Sequence, residues 1–320
     1  MKIRVGYVSI ALNIKGKFKA TSKLTYSKYK KMDLISANER LMEITKSNLN
    51  GLKEILKYNV DKGINFYRVT SNLIPLATHP NVTDWGYISH FDKELIDIGN
   101  YIKDNNIRFD SHPDQFNVIN SIRPNVVEKT KKELLHQANI FKHMNYDKGK
   151  MVLHINSKQG GKEKAIQRFI DNFKTFPNEV TSRLILENED KSYSAHDILE
   201  ICQELNIPMV LDSHHHKCYK TGKLSDIIED IFKTWDNENL PPKLHLSSPY
   251  SERSKKLFNK HADYINPYDF VELVEFLQPL DQDFDIMLEC KQKDRALLKL
   301  IIDVKSLKPE WNWEGANLYV

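Results

Sequence analysis

The chain has 320 residues, 40% of them hydrophobic, a formal net charge of +4 and a mean hydropathy of -0.54, which is typical of a soluble protein. No run approaches the roughly 18 apolar residues of a membrane span. The first residues, MKIRVGYVSI, lack the apolar stretch and cleavage site of a signal peptide, so we expect a cytoplasmic protein. The three cysteines form no C-x-x-C motif, which argues against a disulfide framework or a thiolate zinc site.

Eight short apolar runs alternate along the chain with amphipathic helical patterns. The predicted strands, in chain order, are 3–10, 63–70 and the runs that end at His112, His154, Glu187, Asp212, His245 and Glu289. One predicted helix covers 38–60, and another begins at Pro124, a residue favoured in the first turn. Strict alternation, with strands rich in Val, Ile and Leu, indicates a parallel sheet buried on both faces.

Imidazoles and carboxylates stand at the ends of most of these runs. Side chains placed one per strand, at the same end of each, can converge only if the strands are parallel and the sheet closes. We therefore predict an α/β fold, a (β/α)8 TIM barrel, as one domain over 1–320. The alternative, an open doubly wound sheet, would need a Gly-rich phosphate turn after an early strand, and only the pair Gly160-Gly161 is present. The tail after Val304 is expected to pack on the barrel.

Two carboxylates at strand ends predict a metal centre. Glu187 and Glu289 each close an apolar strand, where an uncompensated carboxylate is costly to bury. Asp212 and His215 form a D-x-x-H pair whose side chains can reach one ion. With the strand-end histidines, this set exceeds the ligand shell of one ion, so we predict two or three divalent cations. Nitrogen and oxygen ligands without sulfur fit Mn²⁺ or Zn²⁺ better than Ca²⁺, and such sites suit phosphodiester hydrolysis.

Two basic segments follow predicted strands and so belong to the same face of a barrel. The segment 15–31 has seven lysines, among them Lys15 and Lys17, and no acidic residue. The segment 251–261 contains Lys255 and Lys256. Either segment alone is typical of a solvated lysine loop. Two such segments around the mouth of one barrel favour a polyanionic partner, a nucleic acid or a phosphorylated substrate.

Seven segments carry a family resemblance in their order and spacing. They are YRVTSNLIPLATH (67–79), SHPDQF (111–116), LEN (186–188), DSHHHKC (212–218), KLHLSS (243–248), HADYI (261–265) and LECKQKD (288–294). Together they resemble the UV damage endonucleases, repair nucleases related in fold to the endonuclease IV group. The resemblance runs along nearly the whole barrel and implies a cluster of up to three metals, with manganese the usual ion and zinc or magnesium the alternatives.

The resemblance also implies roles for individual residues. The implied metal ligands are His79, His112, His154, Glu187, Asp212, His215, His245, His261 and Glu289. His79 and His261 lie in loops and rest on the resemblance more than on strand ends. Glu187, Glu289, His245 and Lys243 form the implied catalytic set. Lys243 matches a position that can be carboxylated, the alternative being an ordinary lysine bonded to a carboxylate. His214 and His216 are expected beside the ligands or facing DNA.

Lesion recognition is implied for a Gln-aromatic pair. Here the pair is Gln115-Phe116, which would wedge into the duplex so that the damaged dinucleotide flips out. Tyr7 matches a tyrosine near the lesion pocket, and Ala11 stands where some members carry Asn. The implied partner is double-stranded DNA with UV lesions, without an obligate protein partner. The predicted reaction is a nick 5′ to a UV photoproduct.

Two other functions fit parts of the pattern. A sugar isomerase or epimerase on the same barrel would use His, Asp and Glu with a metal, but would need fewer ligands and no basic rim. A non-enzymatic DNA-binding module could use the lysine segments, but it would leave Glu187 and Glu289 unexplained. Metal content separates the three: one or two ions favour an isomerase, two or three a nuclease, and none a binding module.

Overall fold

Eight parallel strands form a closed barrel, because β1 pairs with both β2 and β8. The computed structural model describes residues 1–14, 16, 18–82 and 85–320. The barrel strands are Lys2–Val8 (β1), Phe66–Val69 (β2), Arg108–Ser111 (β3), Met151–Leu153 (β4), Leu184–Glu187 (β5), Met209–Asp212 (β6), Lys243–Leu246 (β7) and Phe284–Leu288 (β8). Closure confirms the predicted TIM barrel and excludes the open sheet.

The helices of the described residues surround the barrel. They are Tyr26–Tyr29 (α1), Leu34–Asp61 (α2), Tyr87–Asp104 (α3), Pro124–His143 (α4), Lys162–Phe173 (α5), Asn178–Thr181 (α6), Ala195–Leu205 (α7), Ser213–Cys218 (α8), Ile228–Lys233 (α9), Lys255–Phe258 (α10), Pro267–Leu277 (α11) and Lys293–Leu307 (α12). Pro124 opens α4 as predicted. Among these helices none is long and apolar enough to cross a bilayer.

The tail after α12 packs on the barrel, as predicted. It forms a hairpin of two strands, Asn312–Glu314 (β9) and Asn317–Tyr319 (β10), and β10 pairs antiparallel with the start of β1. Trp311 and Trp313 are buried, and the ring of Trp313 lies 6.0 Å from that of Phe270. The hairpin therefore covers the end of β1 that lies away from the carboxyl ends of the strands.

Alternating side chains divide each strand between two environments. One set packs against the helices in a single large core. The other set points into the barrel, where Val8, Phe66 and Met287 form one small cluster and Val152, Ile185 and Val210 pack with Trp235 in another. These apolar side chains therefore fill part of the barrel interior.

Charged side chains are buried in the lower part of the barrel. Arg4 donates two hydrogen bonds to Asp285, at 2.7 and 2.6 Å, and Arg108 donates a third at 2.6 Å. Asp110 accepts from Lys243 Nζ at 3.1 Å and pairs with Arg108 Nε at 3.4 Å. This set of five residues, which we call the floor network, was not predicted from the sequence.

Candidate metal centre

The carboxyl ends of the barrel strands deliver the predicted ligands to one place. Glu187 and Asp212 are the last residues of β5 and β6, and His112, His154 and Glu289 directly follow β3, β4 and β8. His245 lies within β7, and His215 lies on α8, the short helix that begins directly after β6. Because parallel strands end at the same rim, these side chains converge in the barrel mouth.

Glu187 is the centre of the cluster. Three groups of possible ligands share it, and within each group the ligand atoms lie within 4.8 Å of one another. The groups are His112, His154 and Glu187; Glu187, Asp212 and His215; and Glu187, His245 and Glu289. Glu187 Oε2 lies 3.3 Å from His112 Nε2 and 3.5 Å from His154 Nε2, while Oε1 lies 3.0 Å from His245 Nδ1. Seven of the nine predicted ligands therefore form one connected set.

Backbone carbonyls orient two of the imidazoles. His112 Nδ1 lies 3.0 Å from the carbonyl oxygen of Pro113, and His215 Nδ1 lies 2.9 Å from that of Asn188. With Nδ1–H donated to a carbonyl, Nε2 keeps its lone pair for a metal, a pattern typical of metal-binding histidines. The Asn188 side chain in turn donates to the carbonyl of Asp212 at 3.0 Å and accepts from its N–H at 2.8 Å. These bonds fix β6 against β5 at the level of the ligands.

Glu289 connects the cluster to a basic residue that the sequence analysis missed. Its Oε1 accepts from Arg68 Nη1 and lies 3.3 Å from His245 Nδ1. Its Oε2 lies 3.7 Å from Nδ1 of His261, the eighth predicted ligand. Burial alone would raise the pKa of Glu289, but Arg68 and His245 hold it well below its ordinary value. The sequence signal for Arg68 was a charged residue at an inward position of the apolar strand FYRV.

The chemistry of these donors fits divalent cations. Burial lowers the pKa of His154 and His245 to about 4, so both imidazoles are neutral near pH 7 and can donate a lone pair. Burial also raises the pKa of Asp212 to about 7. Glu187 Oε1, Asp212 Oδ2 and both ring nitrogens of His245 are buried and make no well-aligned hydrogen bond, although Oε1 lies 3.0 Å from His245 Nδ1. Buried polar atoms are almost always satisfied, so this concentration of poorly satisfied ligand atoms indicates a cation-binding site.

His79 lies apart from the cluster. Its ring stacks on Tyr26 with centroids 4.2 Å apart, and its Nδ1 accepts a hydrogen bond from the backbone N–H of Asn81 at 3.2 Å. None of the three groups found among the described residues contains His79. Its role as a ligand stays a prediction.

Lys243 lies below the ligands, at the start of β7. Its side chain is fully buried, bonded to Asp110 and placed over the ring of Phe66, with Nζ 5.5 Å from the centroid. Burial lowers its pKa to about 8. The contact with Asp110 is the one expected for an ordinary lysine, and carboxylation stays a prediction.

The structure corrects the expectation for Tyr7. Side chains on β1 alternate, and Tyr7 shares the helix-facing side with Ile3 and Val5, not the side that faces the barrel interior. It is fully buried, and its hydroxyl donates to Asn59 Oδ1 at 2.7 Å. Tyr7 is therefore a core residue here and presents no surface to a lesion.

His214 and His216 are also corrected in part, because both are buried and neither faces solvent as a DNA contact would. The ring of His214 packs 5.7 Å from that of His261 and 5.4 Å from that of Phe258. His214 therefore supports the loop that carries His261.

Gln115 and Phe116 are exposed in the loop after β3. Phe116 has 74% of its surface exposed, an unusual fraction for a large apolar side chain. Gln115, His112, Arg68 and Glu289 line one cleft of about 400 Å³. The loop therefore stands at the edge of the metal centre, and its role as a wedge stays a prediction.

The lysines of the two basic segments are exposed where the structure describes them. Lys255 and Lys256 open α10, and Lys19, Lys23 and Lys28 follow β1. Lys15 and Lys17 lie outside the described residues. Phosphate contacts by these lysines stay predictions.

Comparison with known proteins shows the family to which the chain belongs. A family model described as UV-endonuclease UvdE matches residues 3–312. The UV DNA damage endonuclease of Bacillus pumilus (strain SAFR-032) is 36% identical over 311 residues, which are 96% of each chain. The crystal structure of SacUVDE superposes with a TM-score of 0.84 at 34% identity, over 96% of this chain and 99% of that one.

A more distant likeness shows the fold alone. Endonuclease IV from Thermus thermophilus superposes with a TM-score of 0.57 at 14% identity, over 81% of this chain and 95% of that one. The full-length family match and the close relatives decide the assignment: the chain belongs to the UV-endonuclease UvdE family.

Proposed function

We propose that this protein is a metal-dependent endonuclease that nicks double-stranded DNA 5′ to UV photoproducts, pyrimidine dimers and 6-4 photoproducts, leaving a 3′-hydroxyl and a 5′-phosphate. The observation that carries the proposal is the cluster around Glu187, with its buried, unpartnered oxygen and nitrogen atoms, in a chain of this family. Two or three divalent ions, Mn²⁺ first and Zn²⁺ or Mg²⁺ next, would neutralise the scissile phosphate and activate water.

The residues of the centre have different proposed roles, as metal ligands or as groups that orient the ligands. Glu187 joins all three ligand groups, and His112, His154, Asp212, His215, His245 and Glu289 complete them. His261, beside Glu289, and His79 extend the proposed ligand set. Asn188 and the Pro113 carbonyl hold two imidazoles in a ligand-ready orientation. No side chain needs to act as a covalent nucleophile.

The exposed loop would recognise the lesion. We assign Gln115 and Phe116 to the wedge because Phe116 is largely exposed and the loop borders the cleft that leads to the centre. Flipping bases costs a few kcal/mol, least in distorted DNA, and an aromatic ring can replace about 1–3 kcal/mol of lost stacking. The lysines of 15–31 and of α10 would add affinity for phosphates that does not depend on sequence.

The sugar isomerase alternative shares only the barrel and the metal chemistry with this chain. An exposed aromatic wedge and a basic rim have no use in sugar isomerisation. A binding module without catalysis would not explain the buried cluster of unpartnered ligand atoms. Burying such atoms costs free energy, which needs a function to offset it.

The proposal is tested with a synthetic duplex that carries one pyrimidine dimer. We expect one cut on the damaged strand, directly 5′ to the dimer, that requires Mn²⁺ and is blocked by EDTA. A polymerase should extend the new end, because it carries a 3′-hydroxyl. A cut 3′ to the dimer, or an end that cannot be extended, would refute the proposed chemistry.

The undamaged duplex of the same sequence is the matched substrate control. Equal cutting of both duplexes would show a nuclease without lesion recognition. If neither is cut by protein that binds Mn²⁺, sugar substrates become the next ones to test.

A further inference from the structure

Arg68 lies where the metal centre meets the cleft toward the wedge. It is the third residue of β2, two positions after the inward-facing Phe66, so its side chain enters the barrel interior one layer higher. Its guanidinium donates to Glu289 Oε1, and the two side chains are 12% and 14% exposed. Arg68 is therefore held firmly at the mouth but keeps access to the cleft.

The rest of the cleft provides no other fixed positive charge. Its lining includes Ser9, Thr70, Asn72, His112 and Gln115, and Arg68 is the only lysine or arginine among the described residues that form it. A DNA backbone that runs from the wedge to the ligands around Glu187 must cross this cleft. Arg68 is the cationic side chain that it meets there.

Metal binding would change the electrostatics around Arg68. Glu289 Oε1, its present partner, also lies 3.3 Å from His245 Nδ1, and both residues belong to one ligand group with Glu187. A divalent ion in that group would compete with the guanidinium for the same oxygen and would repel it. The centre has three carboxylates, Glu187, Asp212 and Glu289, and two divalent ions exceed their formal charge. The occupied centre therefore attracts an anion.

We infer that Arg68 has two alternative partners: it competes with metal ions for Glu289, and it binds the scissile phosphodiester when metal ions fill the centre. The planar guanidinium can donate two parallel hydrogen bonds to a phosphate, which an ammonium cannot do. This inference rests on the proposed function for the identity of its anion. Its first half, the competition with metal for Glu289, is independent of the substrate.

The test uses Arg68→Gln and Arg68→Lys, with Arg40→Gln as the matched control. Arg40 is a surface arginine on α2 that pairs with Glu43. Mn²⁺ affinity is measured by calorimetric titration without DNA, and single-turnover nicking is measured on a duplex with one pyrimidine dimer. We expect Arg68→Gln to bind Mn²⁺ as tightly as wild type or up to about tenfold more tightly, since a competing cation is lost. Its nicking rate should fall by roughly 10²–10³, as when one charge-stabilising donor is removed.

Arg68→Lys should bind Mn²⁺ like wild type and recover only part of the rate, because it restores the charge but not the two-point contact. Arg40→Gln should match wild type in both measurements. Circular dichroism and thermal melting show which variants fold. If Arg68→Gln does not fold, Mn²⁺ titration and single-turnover nicking of Arg68→Lys test the inference instead.

Two results would overturn the inference. If Arg68→Gln weakens Mn²⁺ binding as much as Glu289→Gln does, the only role of Arg68 is to position the Glu289 carboxylate. Nicking within threefold of wild type would exclude contact with the scissile phosphate. If wild-type protein binds Mn²⁺ but nicks no damaged DNA, the proposed function fails together with the contact to the phosphodiester, and the Mn²⁺ titrations of wild type and Arg68→Gln still decide whether Arg68 competes with metal for Glu289.

Discussion

Two clusters of buried polar side chains lie inside the same barrel, and they differ in how their charges are satisfied. In the floor network, Asp285 accepts from Arg4 and Arg108, and Asp110 accepts from Lys243. Arg108 also lies between the rings of Phe66 and Trp235, 5.2 and 5.0 Å from their centroids. In the metal centre, by contrast, Glu187, Asp212 and His245 keep buried ligand atoms without partners.

The difference separates a structural cluster from a functional one. The carboxylates of the floor network are paired with buried cations, and removing one member leaves its partners uncompensated, so this network should matter most for stability. The metal centre gathers carboxylates and imidazoles that make few well-aligned hydrogen bonds to one another, so it should matter most for binding and catalysis. Burial and charge alone do not distinguish the two clusters, but the kind of unpartnered atom does. In the floor network these atoms are donors, Arg108 Nε and Nη2, whereas in the metal centre they include carboxylate oxygens that can bind a cation.

The largest expected effect is that of Glu187→Gln on activity. Glu187 belongs to all three ligand groups, so the amide should weaken metal binding throughout the centre and lower nicking by more than about 10³-fold. Single-turnover nicking of damaged DNA and metal content after dialysis measure this. Glu229→Gln, on the exposed face of α9, is the control. Activity of Glu187→Gln within tenfold of wild type would show that this centre does not carry out the reaction.

Asp285→Asn, in the floor network, should lower the stability of the protein. It removes the carboxylate that Arg4 and Arg108 share, and we expect the free energy of unfolding to fall by about 3–5 kcal/mol. Urea unfolding of the metal-free protein measures it. The control is Asp281→Asn, an exposed position with φ of 46° that asparagine tolerates well. A change below about 1 kcal/mol would mean that the floor network does not stabilise the barrel.

Lys243, in the floor network, should give a pH-dependent stability. Burial lowers its pKa from 10.5 to about 8, so between these values the unfolded chain still binds the proton that the folded protein has released. Stability contributed by this group therefore rises with pH in that window, by about 2 kcal/mol from pH 8 to pH 10. The comparison is urea unfolding of wild type and Lys243→Met across that range. If the difference in the free energy of unfolding between wild type and Lys243→Met does not change with pH, Lys243 is not a free amine, and carboxylation is favoured.

Removing the wedge should change recognition without changing stability. Gln115→Ala with Phe116→Ala should lower the preference for damaged over intact duplex by roughly 10–100-fold, the equivalent of about 1–3 kcal/mol of stacking. Binding is measured with Ca²⁺ in place of Mn²⁺ to prevent cutting. Ile302→Ala, which removes another exposed apolar side chain, is the control. An unchanged ratio would exclude the wedge.

The smallest effect is expected from the lysine segment after β1. Replacing Lys15, Lys17, Lys19 and Lys23 by glutamine should lower the slope of log affinity against log salt by about 0.9 for each phosphate that the variant no longer neutralises. Titrations of an undamaged duplex at several salt concentrations measure the slope. The same slope in wild type and variant would show that this segment does not touch the backbone.

The sequence predicted the mouth of the barrel better than its interior. His112, His154, Asp212 and Glu289 could be found because each stands at the end of an apolar run, and strand ends of a parallel barrel meet. Asp110 and Asp285 lie within strands, where the sequence does not reveal that Asp285 will meet Arg108, or Asp110 will meet Lys243, from another strand of the barrel. Arg68 was missed for the same reason.

Tyr7 shows the limit of a positional match. Its place near the end of β1 agrees with the resemblance, but the alternation of side chains turns it toward Asn59 on α2. The direction of one side chain depends on the register of the strand, which local sequence specifies less well than the existence of the strand. His79 shows a related limit, since a loop position is set by tertiary packing such as its stack on Tyr26.

The most direct test of the central claim, that the unsatisfied cluster around Glu187 is a metal-dependent site for cutting damaged DNA, is relaxation of a supercoiled plasmid. Wild-type protein is incubated with UV-irradiated and with untreated plasmid, each with Mn²⁺ or with EDTA. We predict nicking only of irradiated plasmid and only with Mn²⁺. Nicking that persists in EDTA, or that is equal for both plasmids, would contradict the claim.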